Sequence, residues 1–221
     1  MRTLAVLGLL TSFAGCGAAI DGALGGTAGT GSGGAGAGAM SGASGGGTTG
    51  AGGQAAGAAH NPLTQDVIDA FVDAHNQARS GPLTPPPSPP LPPVSWDAVL
   101  ADSAYAYALG CQGSGGLLSH NANRTADYAA LGGSGYVGEN IYGSSGRAVT
   151  PAAAVTAWMS EASSYDYNSG DIGDAGHYTQ IVWRTTARIG CAIVDCPALT
   201  YHNTVICDYA PGGNIVGEQP Y

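Results

Sequence analysis

Histidine and glutamate are the residue types in this sequence that could share an acid–base or metal site. The chain has five histidines but only three glutamates, and four of these residues stand in motifs that could present their side chains: His120, Glu139, Glu161 and His177. Neutral imidazoles bind divalent metals such as zinc through a ring nitrogen. Carboxylates can orient such rings or bind a metal-held water. The same four groups could instead act as a general acid and base.

The surroundings of these four residues differ. Glycines flank Glu139 in the stretch GYVGENIYG, so the backbone can turn tightly there and leave the carboxylate free to project. Glu161 follows Trp158 by three residues, which places both on one face of a helix. His177 begins a predicted strand, and His120 lies in the loop LLSHNANR after the second predicted helix. Taken singly, each residue has an ordinary explanation as a solvated loop or surface residue.

Capping residues and apolar periodicity predict the helices that would carry these groups. Thr64, Ser95 and Thr150 each suit an N-cap, and Pro151 suits the first turn that follows. Helices are therefore expected over residues 65–80, 96–109 and 151–164. The segment GPLTPPPSPPLPP, residues 81–93, predicts a stiff polyproline II-like surface loop, with a partner-docking segment as the alternative.

The carboxyl-terminal part of the sequence predicts strands. Apolar and aromatic runs indicate strands over residues 177–183, 189–196 and 204–209, the first two joined by a polar turn at 184–188. Helices followed by strands with short turns point to an α+β layered domain around an antiparallel sheet.

Four cysteines remain when Cys16 is set aside, and an even number in an exported chain indicates disulfides. On one extended strand, Cys191 and Cys196 point to opposite faces and stand roughly 16 Å apart, so they cannot bond each other. Cys191 and Cys207 fall on neighbouring antiparallel strands, which leaves Cys196 to reach Cys111 after the second helix. A zinc site is the alternative, but the sequence lacks the CxxC pair typical of one.

The amino-terminal quarter of the chain indicates an export signal and a spacer. Residues 1–16 contain a short apolar run that ends in small residues, as secretory signals do. The run Phe13-Ala14-Gly15-Cys16 resembles a bacterial lipobox, in which Cys16 would carry a lipid; an ordinary signal peptide cut nearby is the alternative. Residues 17–61 are almost entirely Gly, Ala, Ser and Thr and predict a disordered tether. One folded domain, 62–221, follows.

The charge of the chain excludes some partners. Lysine is absent and the net charge is −9, which argues against nucleic acid and against electrostatic binding to anionic lipid. Membrane association would then depend on a lipid at Cys16 or on an apolar groove.

Six sequence blocks, in order, resemble the CAP superfamily of cysteine-rich secretory proteins, venom antigen 5 and pathogenesis-related protein 1. They are DAHNQAR, VSWDAVLADSAYAYALGC, GENIYG, AAVTAWMSEASSYDY, GHYTQIVWRTTARIGCAIVDC and VICDYAPGGNIVGEQPY. The resemblance implies a single CAP (SCP) domain, an α–β–α sandwich with a central antiparallel sheet, and the same two disulfides. It also implies that His120, Glu139, Glu161 and His177 form a tetrad in a central cleft, with His120 and His177 as metal ligands.

The resemblance favours a binding module over an enzyme, because the tetrad implies no general catalytic activity in the family. We expect a monomeric bacterial protein outside the cell or on its surface, an outer-membrane lipoprotein if Cys16 is lipidated. Its expected partner is a lipid-like, envelope or protein ligand, and its expected cofactor is a divalent metal, zinc first. The alternative is a metal-assisted hydrolase of peptides or esters, although no nucleophile or oxyanion motif stands out in the matching blocks.

Overall fold

The computed structural model describes residues 59–146 and 148–221, which form a mixed series of helices and strands. Three of the predicted features fall outside these ranges: the signal segment 1–16, the lipid on Cys16, and all but the last residues of the tether 17–61. Within the described ranges, no helix combines the length and apolarity needed to cross a membrane.

Five α-helices form in the described residues: α1 (Gln65–Ser80), α2 (Ala98–Ala108), α3 (Arg124–Ala130), α4 (Pro151–Met159) and α5 (Gly176–Ile181). Three of them, α1, α2 and α4, lie where capping and periodicity predict helices. The Thr150 side chain caps α4 by accepting from the Ala153 N–H at 3.2 Å, and Pro151 occupies the first turn. The chain then tightens into a 3₁₀ helix, Ser160–Ser164, which carries Glu161.

The start of α2 differs from the prediction. Ser95 does not cap the helix, because Ser95 and Trp96 form a short strand. Asp97 is the cap instead: its side chain accepts from the backbone N–H groups of Val99 and Leu100 at 2.9 and 3.1 Å. Aspartate satisfies two unpaired donors of the first turn, which is the role that serine was expected to fill.

The predicted strand over residues 177–183 is wrong, because this segment forms the helix α5. Its buried apolar residues Tyr178, Ile181 and Val182 follow the i, i+3, i+4 spacing of a helix face rather than the alternation of a strand. The Val182 N–H donates to the Tyr178 carbonyl at 3.1 Å, as in a helical turn. The run of β-forming residue types therefore misled the prediction, and the spacing was the better signal.

Six strands are described: β1 (Ser95–Trp96), β2 (Gly113–Ser114), β3 (Leu117–Leu118), β4 (Gly138–Ser144), β5 (Arg188–Asp195) and β6 (Asn203–Ala210). The main sheet has the order β1-β5-β6-β4, in which β1 is parallel to β5 and the other pairs are antiparallel. β2 and β3 form a separate antiparallel pair. The strands β5 and β6 lie where the sequence predicts strands.

Strand β4 was not predicted, since its glycines indicate a turn. In the fold, Gly138 allows close packing instead: a Cβ at this position would collide with the Gln180 side chain. The strand pairs with β6 over its whole length, from Gly138 opposite Tyr209 to Ser144 opposite Asn203. β4 is an edge strand of the main sheet, and Glu139 lies on it.

Helices cover both faces of the main sheet, so the predicted α–β–α sandwich is confirmed. On one face, Phe71 of α1, Trp158 of α4 and Ile181 of α5 pack in one apolar cluster with Cys207 and Tyr209 of β6. The opposite face packs Ala104 and Ala108 of α2 against residues of three strands: Ile141, Ala192 and Ile206. Tyr128 of α3 joins this second helical layer through contacts with Leu100 of α2.

Two disulfides cross-link the sheet with the pairing expected from the sequence. Cys191 and Cys207 are directly opposite each other on β5 and β6, with Cα atoms 4.0 Å apart. Cys111 and Cys196 join the end of α2 to the end of β5, with Cα atoms 5.4 Å apart. The bonds close segments of 16 and 85 residues. In the chain-entropy model, such loops stabilise the fold by roughly 3 and 4–5 kcal/mol respectively.

Arg79 at the end of α1 fastens the proline-rich segment to the rest of the domain. Its side chain is buried, and its guanidinium donates to the carbonyl of Pro92 at 2.9 and 2.8 Å. It also donates to the carbonyls of Ile181 and Trp183 at 2.7 and 2.9 Å. Burial lowers the pKa of Arg79 to about 10, so the group stays charged at neutral pH. One cation thus holds α1, the loop after it and the end of α5 together.

Asn61 performs a similar task at the start of the folded domain. Its side-chain amide donates to the carbonyls of Cys191 and Ala101 at 2.6 and 3.2 Å. Its backbone N–H donates to the Asp102 carboxylate at 2.9 Å. The chain is therefore attached to α2 and to the central strand β5 before α1 begins.

Candidate functional site

The first histidine–glutamate pair joins the loop after β3 to the edge strand β4. The Glu139 carboxylate is 1% exposed, and its Oε1 lies 2.6 Å from Nδ1 of His120. The same oxygen accepts the backbone N–H of Asn121 at 3.0 Å. Because the carboxylate accepts, Nδ1 of a neutral His120 carries the proton, which leaves Nε2 as the basic nitrogen. The imidazole is half-exposed, with 56% of its side chain accessible.

The loop that carries His120 is held from both sides. The hydroxyl of Tyr107, on α2, donates to the Ser119 carbonyl at 2.7 Å. On the other side, the buried Asn121 side chain donates to Asp127 of α3 at 2.9 Å. His120 therefore lies between two anchored neighbours, although the residue itself reaches solvent.

The second pair joins the 3₁₀ helix after α4 to the start of α5. Oε1 of Glu161 lies 2.6 Å from Nδ1 of His177. Its Oε2 accepts the backbone N–H groups of His177 and Tyr178 at 2.9 and 3.3 Å. Glu161 thus satisfies unpaired donors of the first turn of α5 while it orients the ring. The His177 ring also stacks on Trp158, with centroids 6.2 Å apart and an angle of 25° between the ring planes.

The two pairs flank the same edge strand. Asn140 follows Glu139 on β4, and its side-chain amide donates to the His177 carbonyl at 3.0 Å. The same amide donates to the Tyr209 hydroxyl at 3.1 Å. Each histidine is therefore brought against one glutamate, and β4 connects the pairs. That all four side chains open into one cleft stays a prediction.

His75 belongs to the buried support of this region. Its Nδ1 lies 2.8 Å from the Phe71 carbonyl and its Nε2 lies 3.0 Å from the Tyr209 hydroxyl. Burial lowers the pKa of His75 to about 4, so the ring is neutral at neutral pH. Nδ1 then donates to Phe71 and Nε2 accepts from Tyr209. A chain of hydrogen bonds runs from α1 through Tyr209 and Asn140 to the backbone of His177.

The remaining histidines lie at the surface. His60 is 92% exposed and lies 3.1 Å from Asp102. His202 lies 2.7 Å from the Asp195 carboxylate, and that hydrogen bond raises the pKa of His202. Neither histidine is hydrogen-bonded to Glu139 or Glu161.

The donor set of the two pairs fits a weakly coordinated divalent metal better than a closed structural site. In each pair a glutamate engages Nδ1, which is the arrangement that orients a metal-binding histidine through Nε2. Among the residues that the structure describes, however, no group of three or more His, Cys, Asp or Glu side chains is placed to hold an ion. A metal at His120 and His177 would need water or ligand atoms to complete its coordination.

Asp208 is a buried acid that sequence reasoning missed. It lies on β6 directly opposite Glu139 and is 1% exposed. Burial and the Glu139 charge raise the pKa of Asp208 well above its usual range, and the opposing charge of Arg124 offsets only part of this. On β6, Asp208 lies on the same face as the buried residues Thr204 and Ile206, because side chains two residues apart project from one face of a strand.

An apolar groove lies between α1 and α4, on the face of the sheet opposite Asp208. Its volume is 760 Å³, and most of its lining is carbon: Ala74, Ala78, Pro82, Leu83, Ala152, Val155, Met159, Ala162 and Tyr178. The polar residues that line it are Gln77, Thr84, Thr156, Ser160 and Ser163. The start of the proline-rich segment, Gly81 to Thr84, also lines the groove. Among the described residues, no charged side chain lines the groove, which makes it suited to an apolar ligand.

The sandwich, the two disulfides and the paired histidines and glutamates define a small disulfide-stabilised α/β domain of the kind found in exported proteins. The model of the cysteine-rich secretory protein (CAP) family matches residues 72–209. The chain belongs to this family. Membership supports a secreted binding module in general terms and is consistent with a location outside the cell.

Relatives of this chain occur in animals and plants. Human GLIPR1-like protein 1 is 36% identical over 157 residues, which cover 70% of this chain and 62% of that protein. This chain therefore spans less than two thirds of the human relative. Tobacco pathogenesis-related protein 1B is 33% identical over 165 residues, covering 73% of this chain and 85% of the relative.

Solved structures share the fold. The crystal structure of NaASP2 with Zn²⁺ superposes with a TM-score of 0.56 at 23% identity, over 75% of this chain and 90% of the other. At that identity, the superposition supports the sandwich architecture alone.

Proposed function

We propose that this protein is a secreted or surface-tethered bacterial binding protein whose CAP domain holds a lipid-like ligand without chemical turnover. The observation that carries the proposal is the apolar groove between α1 and α4. Its walls come from two helices fixed to the same sheet, so the groove exists before a ligand arrives. A preformed, largely apolar cavity with polar groups at its rim is the usual form of a small-molecule site.

The energetics favour an acyl chain or a similar aliphatic group. Each methylene removed from water contributes about 0.8 kcal/mol, so burying ten would contribute roughly 8 kcal/mol. Ordering the ligand and losing its translational freedom would consume much of this gain. The net charge of −9 gives no electrostatic attraction to an anionic bilayer. The proposed contact is therefore with the apolar part of a ligand rather than with a charged membrane surface.

The proposed location and the proposed monomeric state rest on features of the sequence. A lipid on Cys16 would anchor the chain to an outer membrane, and residues 17–61 would act as a flexible spacer. We propose that the domain acts as a monomer on a lipid, cell-envelope or protein ligand, without a role in nucleic-acid binding.

A divalent metal is proposed as an accessory of the two histidine–glutamate pairs. His120 and His177 would hold it through Nε2, while Glu139 and Glu161 fix the rings. Zinc suits neutral imidazole, and the solved structure of NaASP2 is one with Zn²⁺. When bound, such a metal supplies a Lewis acid and an acidic water.

The half-exposed His120 and its orienting glutamate favour a second candidate, a metal-assisted hydrolase. In it the histidines would hold the metal, and the carboxylates would accept a proton from water. The two functions separate in one variant, His177→Ala. Loss of a tightly bound metal together with loss of turnover on peptides or esters would support the hydrolase. Retained ligand binding without turnover in either protein supports the binding module.

The direct test of the proposal is a substitution that fills the groove with a large side chain. Ala78 lines it from α1, so Ala78→Trp should place an indole in the cavity and weaken binding of a fluorescent long-chain fatty acid at least tenfold. Ala129→Trp is the matched control, because Ala129 is an exposed residue of α3 on the other side of the sheet. Equal affinity of both variants, with unchanged circular dichroism, would remove the groove as the site. Native mass spectrometry of the full chain from its own host would show which lipid or metal accompanies it.

A further inference from the structure

Three strand ends of the main sheet meet beside the imidazole of His202. In the register of the sheet, Asn203 at the start of β6 is paired with Ser144 at the end of β4 and with Asp195 at the end of β5. His202 directly precedes Asn203, and its carbonyl accepts the Cys196 N–H at 2.8 Å, which holds the turn between β5 and β6 in place. The ring of His202 therefore stands where groups from all three strands can reach it.

Both ring nitrogens of His202 lie against oxygen atoms that accept hydrogen bonds but donate none. Nδ1 is 2.7 Å from Oδ1 of the Asp195 carboxylate, and Nε2 is 3.2 Å from the carbonyl oxygen of Ser145. A neutral imidazole carries one N–H and can satisfy only one of these acceptors, whereas a protonated imidazole carries two. The contacts of the ring therefore favour its charged form, and the hydrogen bond to Asp195 raises the pKa of His202.

The nitrogen Nε2 of His202 also has a neighbour that is a donor. The side-chain amide nitrogen of Asn203 lies 3.4 Å from Nε2. A neutral ring that keeps its proton on Nδ1, toward Asp195, would accept a hydrogen bond from this amide. The two contacts of Nε2 exclude each other, because donation to Ser145 needs a proton on that nitrogen and acceptance from Asn203 needs its lone pair.

Few other titratable groups face the ring. Among the described residues, Asp195 is the charged group in hydrogen-bond contact with His202. From α2, Tyr105 lines a small surface pocket together with Asp195. Tyr201 precedes His202 in the turn, and its backbone N–H donates to the carbonyl of Gly116 at 2.9 Å. The hairpin formed by β2 and β3, to which Gly116 belongs, contains no titratable residue.

We propose that His202 is a proton-controlled switch on the connection between β4 and α4. In the protonated state, Nε2 donates to the Ser145 carbonyl and holds the start of this connection beside β6. In the neutral state, Nε2 accepts from the Asn203 amide and releases Ser145, while Nδ1 keeps its hydrogen bond to Asp195. The side chains of His202 and Asp195 are 36% and 62% exposed, so protons exchange freely with the solvent.

The switch reaches the apolar groove through α4. The connection after Ser145 leads into this helix, whose residues Ala152, Val155 and Met159 line the groove. Release of Ser145 removes one attachment of the chain ahead of the helix. This consequence for the groove rests on the proposed function, whereas the switch itself does not. The tests of the switch therefore use no ligand, and their failure leaves the proposed lipid site untouched.

The direction of the pH effect follows from the raised pKa of His202. The folded chain binds the proton of this ring more tightly than the unfolded chain does. The hydrogen bond to Ser145 therefore contributes its full stability below pH 6.5, the ordinary pKa of histidine, and loses it as the pH rises through the raised value. Ser145 is held at acidic pH and released at alkaline pH.

Nitrogen-15 NMR of the imidazole rings in the full chain tests which nitrogen titrates. In the wild type, Nδ1 of His202 should stay protonated while Nε2 loses its proton, with a midpoint above 6.5. Asn203→Ala removes the donor that serves the neutral ring, so it should raise the midpoint further. The matched control is Asn168→Ala, because the Asn168 amide contacts Asp166 instead, and it should leave the midpoint unchanged. A neutral ring protonated on Nε2, or a midpoint that Asn203→Ala fails to raise, overturns the proposal.

The carbonyl carbon of Ser145 tests the release itself. Its NMR shift should change with pH at the midpoint of the His202 ring, because a carbonyl resonance responds to loss of its hydrogen bond. Backbone order parameters of Ser145 and Gly146 should be lower above that midpoint than below it. His202→Phe keeps a ring without a donor, so both changes should vanish in this variant. A Ser145 resonance that ignores the midpoint in the wild type, or that still follows pH in His202→Phe, contradicts the switch.

Discussion

Replacement of Arg79 by lysine should destabilise the domain far more than an Arg-to-Lys change normally does. Arg79 donates to four carbonyls: that of Pro92 in the proline-rich segment, and those of Ile181, Trp183 and, at 3.4 Å, Thr186. A lysine ammonium keeps the charge but concentrates its donors at one point, so it cannot reach both sides. At least one buried carbonyl would then lose its hydrogen-bond partner. A poorly placed ammonium would leave two carbonyls without a partner.

The expected magnitude follows from those carbonyls. A buried acceptor left unsatisfied costs about 1–3 kcal/mol, so Arg79→Lys should lower the free energy of unfolding by about 3 kcal/mol. For a domain of this size, that loss corresponds to a fall in melting temperature of roughly 6–12 °C. The measurement is urea denaturation of the oxidised protein, followed by circular dichroism and tryptophan fluorescence.

The matched control is Arg184→Lys. Arg184 makes a surface hydrogen bond to the Pro89 carbonyl at 2.8 Å, so its replacement should change stability by no more than about 0.5 kcal/mol. If Arg79→Lys proved as mild as Arg184→Lys, the buried guanidinium would not be what holds α1, the proline-rich segment and α5 together.

Three further predictions concern the disulfide between β5 and β6, the buried histidine His75, and the Glu161–His177 pair. Replacing Cys191 and Cys207 by alanine should cost about 3 kcal/mol in urea denaturation, and unchanged stability would contradict this. Because His75 is neutral when folded and has a lowered pKa of about 4, its contribution to stability should fall by roughly 3 kcal/mol from pH 6.5 to 4. A His75→Asn variant that keeps the whole acid slope would disprove that assignment. Glu161→Gln should weaken zinc binding about 10–100-fold by calorimetry, while Glu218→Gln leaves it unchanged; equal losses would count against an orienting role.

Much of the architecture followed from local sequence signals that the fold does not override. The start of α4 is set by the Thr150 cap and a first-turn proline, which act within a few residues. Helix α1 also begins after Thr64 as predicted, although the Thr64 side chain makes no capping hydrogen bond. The disulfide pairing followed from strand geometry, since Cys191 and Cys196 could not bond along one strand. Such signals are readable because they do not depend on distant partners.

The errors arose where tertiary packing decided the outcome. The segment from His177 combines β-forming residue types with helical spacing, and its packing against Trp158 and Glu161 favours the helix. The glycines around Glu139 suggested a turn, yet one of them makes room for Gln180 and the segment becomes an edge strand. Neither contact is visible from neighbouring residues alone.

The candidate site was only partly accessible to sequence reasoning. Residue types identified the histidines and glutamates, and the family resemblance grouped them, but no local pattern indicates which glutamate meets which histidine. Asp208 escaped notice because a single acid after a cysteine is ordinary until strand register places it opposite Glu139. Register depends on residues about 70 positions apart in the chain, and spacing along the sequence does not reveal it.

The attachment of Asn61 decides how a mechanical load would enter the domain. A force applied to the chain before residue 59 would load the hydrogen bonds that the Asn61 side-chain amide donates to the carbonyls of Ala101 and Cys191. Force therefore passes into α2 and into a strand that a sulfur bridge locks to its neighbour, without stretching α1. Such a load would reach the sheet without passing through α1 and α4, the two helices that line the apolar groove.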